Sequence, residues 1–293
     1  MWILSYWLLP TISALVWVAM LITMLTYWSL SGSPVYPSME RNQRIAYISD
    51  VGAFTLKPLF IAASAVTVVS LDLGFLAERW LRHTGRLAPN TSLTQRVLDW
   101  ISLVFALIGA AGLILLSIFD TYRYRTLHNL FLLFFIGGYI ISAIFLCAEY
   151  QRLGIHYRHH RILAISFWIK LFFILVELAL AVVFIALSFT GYRNAAAILE
   201  WTVSFVFTFY VLSFIVDLSP SVRTKSHVPQ GQKVALAERG LQGRLPGSSG
   251  SNSGEMSYEQ NLTTDSAGPN QRGEEVYYEP QQQQQRYQQQ YRY

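Results

Sequence analysis

The chain has 293 residues, of which 53% are hydrophobic and only 13% charged, and its formal net charge is +5. A soluble domain carries about 25% charged residues; here residues 220–293 hold 15 of the 39 charged side chains, so residues 1–219 are more apolar still. The lone Cys147 excludes an intrachain disulfide and any paired-cysteine zinc or redox motif, and modest positive charge gathered between apolar runs favours anionic lipid headgroups over nucleic acid.

Runs of about 20 apolar residues cross a bilayer as helices. In chain order the predicted spans are 10–30, 54–77, 100–119, 127–148, 162–190 and 199–218. The fold class is therefore all-α: a polytopic membrane protein with a six-transmembrane-helix bundle over residues 1–219. Pro10 suits a first helical turn, where its missing N–H costs nothing, and "SGSPVYPS" at 31–38 stops the first span. The opening "MWILSYWLLP" lacks the basic region of a secretory signal, so this span is expected to stay uncleaved. Tyr27, Trp28, Trp80, Trp100 and Trp201 fall near span ends, where interfacial aromatics belong.

Basic residues in short loops set the orientation. The loops at 78–99 and 149–161 and the start of the tail hold nine Lys and Arg, against five in the opposite loops, which places both termini in the cytosol. Two sequons, at 90–92 and 261–263, then lie on the cytosolic side and are expected to be unglycosylated. From Pro220 onward the composition changes. "LPGSSGSNSG" is a flexible linker and "EPQQQQQRYQQQYRY" is Gln-rich, and no Trp or Phe follows Phe214, so residues 220–293 are expected to form a disordered cytosolic tail.

Ionisable residues inside spans are costly and ask for a partner or a purpose. At the outer end, Asp50 and Lys57 enter the second span, and Asp120, Arg123, Arg125 and His128 occupy the hairpin "FDTYRYRTLHN"; Arg193 and Glu200 flank the sixth span. Both signs are present, so this cluster reads either as a paired lid or as a site for a phosphate-bearing headgroup. At mid-depth, Lys170 and Glu177 lie seven residues apart, too far along one helix face for a direct salt bridge. Lys170 is expected to snorkel toward the cytosolic interface and Glu177 to face the bundle interior. At the cytosolic end, Arg79, Arg82, Arg152, Arg158 and Arg161 are the expected contacts to headgroups of that leaflet.

No nucleophile elbow, phosphate loop, dinucleotide fingerprint or zincin motif occurs. Asp50, Asp120 and His128 come nearest to chemistry, as acid and base on a lipid ester, but two Asp and a His are a common accidental set. The expectation is a non-enzyme with no metal and no cofactor.

Four phrases in order, "YISDVGA", "FDTYRYRTLHNLF", "FLCAEYQRL" and "FTFYVLSFIVDLSP", resemble the Frag/DRAM/Sfk family, also described as the CWH-like N-terminal domain, and most of all its fungal Sfk-type branch. The likeness covers about residues 1–219. It implies a regulator of phospholipid organisation at the plasma membrane, linked to phosphoinositide 4-kinase signalling. The implied partners are phospholipids, phosphoinositides or sterols among them, and a lipid-kinase complex on the cytosolic side. The alternative it implies is a GPI-anchor lipid-remodelling factor of the ER or Golgi, or a lipid hydrolase using the outer Asp/His cluster. The nuclease-like half of the anchor-remodelling members has no counterpart in these 293 residues, so nothing catalytic carries over from it.

Overall fold

The computed structural model describes residues 6–87, 92–156 and 161–219, with the backbone alone at 153–156 and 161–164. The expected tail at 220–293, Arg158 and the side chain of Arg161 lie outside the described residues. Among the described residues there are seven helices: α1 (Leu8–Leu30), α2 (Ile48–Val51), α3 (Lys57–His83), α4 (Leu93–Ile118), α5 (Arg125–His156), α6 (Arg161–Thr190) and α7 (Arg193–Leu218). All except the single-turn α2 contain a stretch long and apolar enough to cross a membrane. The chain is all-helical with six candidate spans, as the hydropathy predicts.

The helices run further than the apolar runs. α4 starts seven residues before the predicted span because Ser92 and Gln95 form a capping box: Ser92 Oγ accepts the Gln95 N–H at 3.2 Å and Gln95 Oε1 accepts the Ser92 N–H at 3.1 Å. α3 starts later than predicted, at Lys57 with Pro58 in the first turn, and runs on through Arg79 and Arg82 to His83. Those added turns are charged yet helical because their side chains find partners inside the bundle.

Each long helix packs on the next, α1 on α3, α3 on α4, α4 on α5, α5 on α6 and α6 on α7, and α7 closes back on α1. The result is a ring in chain order. Successive helices alternate in direction, so one end of the ring gathers the 31–56 segment and the α4–α5 and α6–α7 turns; this is the loop end. The other, the tail end, gathers the start of α1 and the end of α7, where Tyr6 and Trp7 pack against Leu81, Leu87 and Leu218.

Lipid is as apolar as Leu, so helices in a membrane hold together through close packing and polar contacts, not through hydrophobic burial. α4 and α5 show the first. A Cβ on Gly112 would sit 2.5 Å from the Phe135 nitrogen, and one on Gly138 would sit 2.6 Å from the Gly109 nitrogen. The two backbones approach as closely as they do only because these positions lack side chains. Polar contacts join α1 to both its neighbours: Ser13 Oγ donates to the Thr67 carbonyl at 2.8 Å between α1 and α3, and Trp17 Nε1 donates to the Ser204 carbonyl at 2.9 Å between α1 and α7.

Candidate functional site

The phrase "YISDVGA" forms α2 and the turn after it. Asp50 is buried, and its carboxylate works as a staple: Oδ1 accepts Ser38 Oγ at 2.7 Å, while Oδ2 accepts Gln43 Nε2 at 2.9 Å and the Tyr47 N–H at 3.1 Å. Three donors take most of the roughly four acceptor sites of a carboxylate. Glu200 of α7 accepts the Ile48 N–H at 2.8 Å, and Trp201 Nε1 donates to the Ala46 carbonyl at 2.9 Å, so α7 grips the other side of α2. Gly52 has an ordinary helical φ of −77°; its need for glycine is steric, since a Cβ would lie 2.6 Å from the Phe60 ring.

The six outer residues singled out in the sequence separate into two groups. Lys57 Nζ pairs with Asp120 Oδ2 at 2.6 Å, and Asp120 Oδ1 accepts the Arg123 N–H at 2.7 Å. Burial would raise the Asp120 carboxyl, but the Lys57 ammonium and the Arg123 N–H outweigh it and hold the group below the usual carboxylate range. The Arg123 side chain is exposed. Asp50, Arg125 and His128 instead surround a cavity. Arg125 and Arg193 both pair with Glu40, at 3.2 and 2.7 Å. His128 places Nδ1 within 3.0 Å of the Leu116 carbonyl and 2.9 Å of the Phe119 carbonyl, which fixes the proton on Nδ1. Ser38, Glu40 and Gln43 were missed in the sequence because "SGSPVYPS" at 31–38 reads as a mere span terminator and the residues after it as a loop; five polar residues in the six positions 38–43 were the available signal.

The cavity measures about 470 Å³. Glu40, Asp50, Arg125, His128, Arg193 and Glu200 supply its polar wall, and Leu132, Leu133 and Ile136 of α5 with Phe184, Ile185 and Phe189 of α6 supply its apolar wall. Leu133, Ile185 and Phe189 are 59%, 40% and 88% exposed on the bundle's outer surface. The cavity therefore reaches the lipid-facing side of the bundle along the α5–α6 cleft. A smaller cavity of about 50 Å³ shares Ser49, Ile136, Phe184 and Glu200 with it. A third, of about 70 Å³, shares Trp17, Phe135 and Ile136 with the second and reaches Glu177. Glu177 Oε1 is buried there without a hydrogen-bond partner.

The tail end is built differently. Lys170 is fully buried in the bundle, paired with Asp217, donating to Ser166 Oγ at 2.9 Å and lying 4.8 and 4.5 Å from the Tyr150 and Phe214 ring centroids. This corrects the expectation that it snorkels to the interface: its partner stands 47 positions away on α7. Arg82 is likewise buried, not at the headgroups, with Nη2 2.7 Å from Glu78 Oε1, which also accepts the Tyr150 hydroxyl. Arg79 spends its guanidinium on Asp99, with Nε 2.7 Å from the carboxylate and Nη2 donating to the Asp99 carbonyl at 2.6 Å. Arg152 is exposed.

The architecture is that of a multi-pass membrane protein whose ring of six helices is sealed by buried ion pairs at one end and hollow at the other. Residues 5–221 match the family described as Frag1/DRAM/Sfk1/Cwh43P N-terminal domain, and the chain belongs to that family. It is similar to Protein sfk1 of Schizosaccharomyces pombe, 30% identical over 221 residues, which cover 75% of this chain and 66% of that protein. It is also similar to Protein SFK1 of Saccharomyces cerevisiae, 30% identical over 177 residues, 51% of this chain and 50% of that protein. The chain thus spans about half to two thirds of the length of these curated relatives. No solved structure matches it.

Proposed function

We propose that this Sfk1-type protein is a non-enzymatic regulator of phospholipid organisation that holds a lipid at the loop end of its bundle and acts in phosphoinositide 4-kinase signalling at the plasma membrane. The observation that carries the lipid-holding part is the 470 Å³ cavity, polar on one wall and apolar on the other, reaching the outer face between α5 and α6. A ligand that enters sideways from a bilayer is a lipid, and this lining matches a headgroup followed by acyl chain. Supporting the non-enzymatic part, the outer acidic side chains are committed elsewhere: Asp50 to three donors and Asp120 to Lys57. No base stands beside a nucleophile among them. The kinase link rests on the family resemblance alone.

The test is lipid analysis of the full chain purified in mild detergent, alongside Ser188→Trp, which fills the cavity from α6. Phospholipid should stay with the wild type and be lost from the variant, and a plasma-membrane reporter of phosphatidylinositol 4-phosphate should change in cells carrying the variant. A wild type that carries no more phospholipid than an unrelated six-span protein would refute the lipid site. An unchanged reporter would refute the signalling link.

A further inference from the structure

We infer that the loop-end cavity selects zwitterionic headgroups, those bearing a phosphate and an ammonium, over the anionic phospholipids that the basic loops of this chain suggest. The inference rests on the lipid-site reading above and adds the headgroup class. It follows from the charges that face the cavity. Two are permanent cations, Arg125 and Arg193, and three are carboxyls, Glu40, Asp50 and Glu200; His128 gives its Nδ1–H to backbone carbonyls and is only 2% exposed, so burial disfavours the imidazolium and it is counted as neutral. With Glu200 ionised the wall sums to −1, and with Glu200 protonated it sums to zero. A lipid of net negative charge meets no net attraction in either state.

The placement of the charges is as telling as their sum. Arg125 and Arg193 converge on the single carboxylate of Glu40, and Arg125 is half-exposed. A guanidinium has five donors and Glu40 takes few of them, so both arginines keep N–H groups for a phosphate. On the other side, Glu200 uses Oε2 for the Ile48 N–H and has Oε1 left to accept from a cationic group. Cationic and anionic groups on one wall, above an apolar cleft, mirror the phosphate and ammonium of a neutral phospholipid. The arginines alone would have suited a phosphoinositide. Glu40, set between them, is what removes that preference.

Native mass spectrometry of the full chain, delipidated and titrated with phosphatidylcholine, phosphatidylethanolamine, phosphatidylserine and phosphatidylinositol 4-phosphate of identical acyl chains, tests this. The zwitterionic pair should be preferred over phosphatidylinositol 4-phosphate by roughly tenfold, the scale of one unbalanced charge in a partly shielded site. Glu40→Gln, which frees both arginines, should narrow or reverse that ratio. Glu200→Gln, which keeps an acceptor for Ile48, should move it the same way and serves if the first variant fails to fold. Preference of the wild type for the anionic lipids, equal binding of all four, or a ratio untouched by both variants overturns the headgroup inference while leaving a lipid site. Binding of none of the four overturns the lipid site itself.

Discussion

Removing the ammonium of Lys170 should be among the most damaging single changes in the bundle. Lys170 has no exposure, and its partner Asp217 is also buried. In Lys170→Met the Asp217 carboxylate keeps only the Ser166 hydroxyl as a side-chain donor, and the contacts of the ammonium with the Tyr150 and Phe214 rings vanish too. Leaving one member of a buried pair uncompensated costs about 3–5 kcal/mol. At about 2–4 °C per kcal/mol for a chain of this size, that is a fall in Tm of roughly 6–20 °C. The assay is supplied by the sequence: Cys147 is the one cysteine of the chain and is buried, so a fluorogenic maleimide reports unfolding directly. Scans in one detergent at one heating rate make the comparison meaningful even if unfolding is irreversible. Replacing both partners, as Lys170→Met with Asp217→Leu, should recover most of the loss, because two apolar side chains leave no stranded charge. A Lys170→Met protein that melts with the wild type, or a double variant no more stable than the single, would refute the claim that this pair seals the tail end.

Gly112→Ala should cost about 3 kcal/mol, since the atoms its Cβ would strike belong to the Phe135 and Phe131 backbone and cannot rotate away; Gly137→Ala inside α5, with nothing within 4 Å, should melt no lower than the wild type in the same maleimide assay and gain up to about 1 kcal/mol. Asp50→Ala removes the acceptor for Ser38, Gln43 and the Tyr47 N–H, and should cost roughly 2–3 kcal/mol and open 31–47 to limited proteolysis while Asp120→Asn does not. The Asp120 carboxyl is held below its unfolded value of about 3.9, so its pairing with Lys57 stabilises the fold fully above that pH and the benefit fades as pH falls through the folded value. The Tm advantage of the wild type over Asp120→Asn should therefore be flat from pH 7 to about 5 and shrink on acidification toward pH 3; a gap that widens toward acid would contradict the sign.

Length and apolarity made the six spans legible, because a bilayer imposes both on any helix that crosses it. The charged turns at helix ends were not legible in the same way. Arg79, Arg82 and Lys170 read as interfacial cations because a sequence shows that a cation lies near a boundary but not that a carboxylate faces it from another helix. Glu78, four residues before Arg82 on the same helix, was the one such partner within sequence reach. Asp99 and Asp217 stand 20 and 47 positions from the basic residues they serve, and only the ring order brings them together. The loop end failed for the opposite reason. The sequence gathers Asp50, Asp120 and His128 into one cluster, whereas packing turns Asp120 toward α3 and leaves Asp50 and His128 beside a cavity completed by Glu40, from a stretch that reads as a turn.

The two ends of α6 account for the placement of that cavity. At the tail end Lys170 ties α6 to α7 through Asp217. At the loop end the cavity-facing residues of α6 are Phe184, Ile185, Phe189 and the small Ser188, and among the described residues no side-chain hydrogen bond or ion pair crosses from α6 to α5 there. α6 is also the least buried of the six spans within the bundle. In a bilayer, an apolar helix face gains nothing in hydrophobic free energy by leaving lipid for another helix, so closure of a seam depends on shape fit and polar ties. The α4–α5 seam has both, in its glycines and in the Ser102 hydroxyl bonded to the Ser142 carbonyl at 3.0 Å. The α5–α6 seam at the loop end has no such polar tie, and lipid can take the place of the missing helix contact at little cost. The hollow sits where the sequence withheld both devices that close a membrane interface, directly below the arginines and carboxylates that give its mouth a headgroup's chemistry.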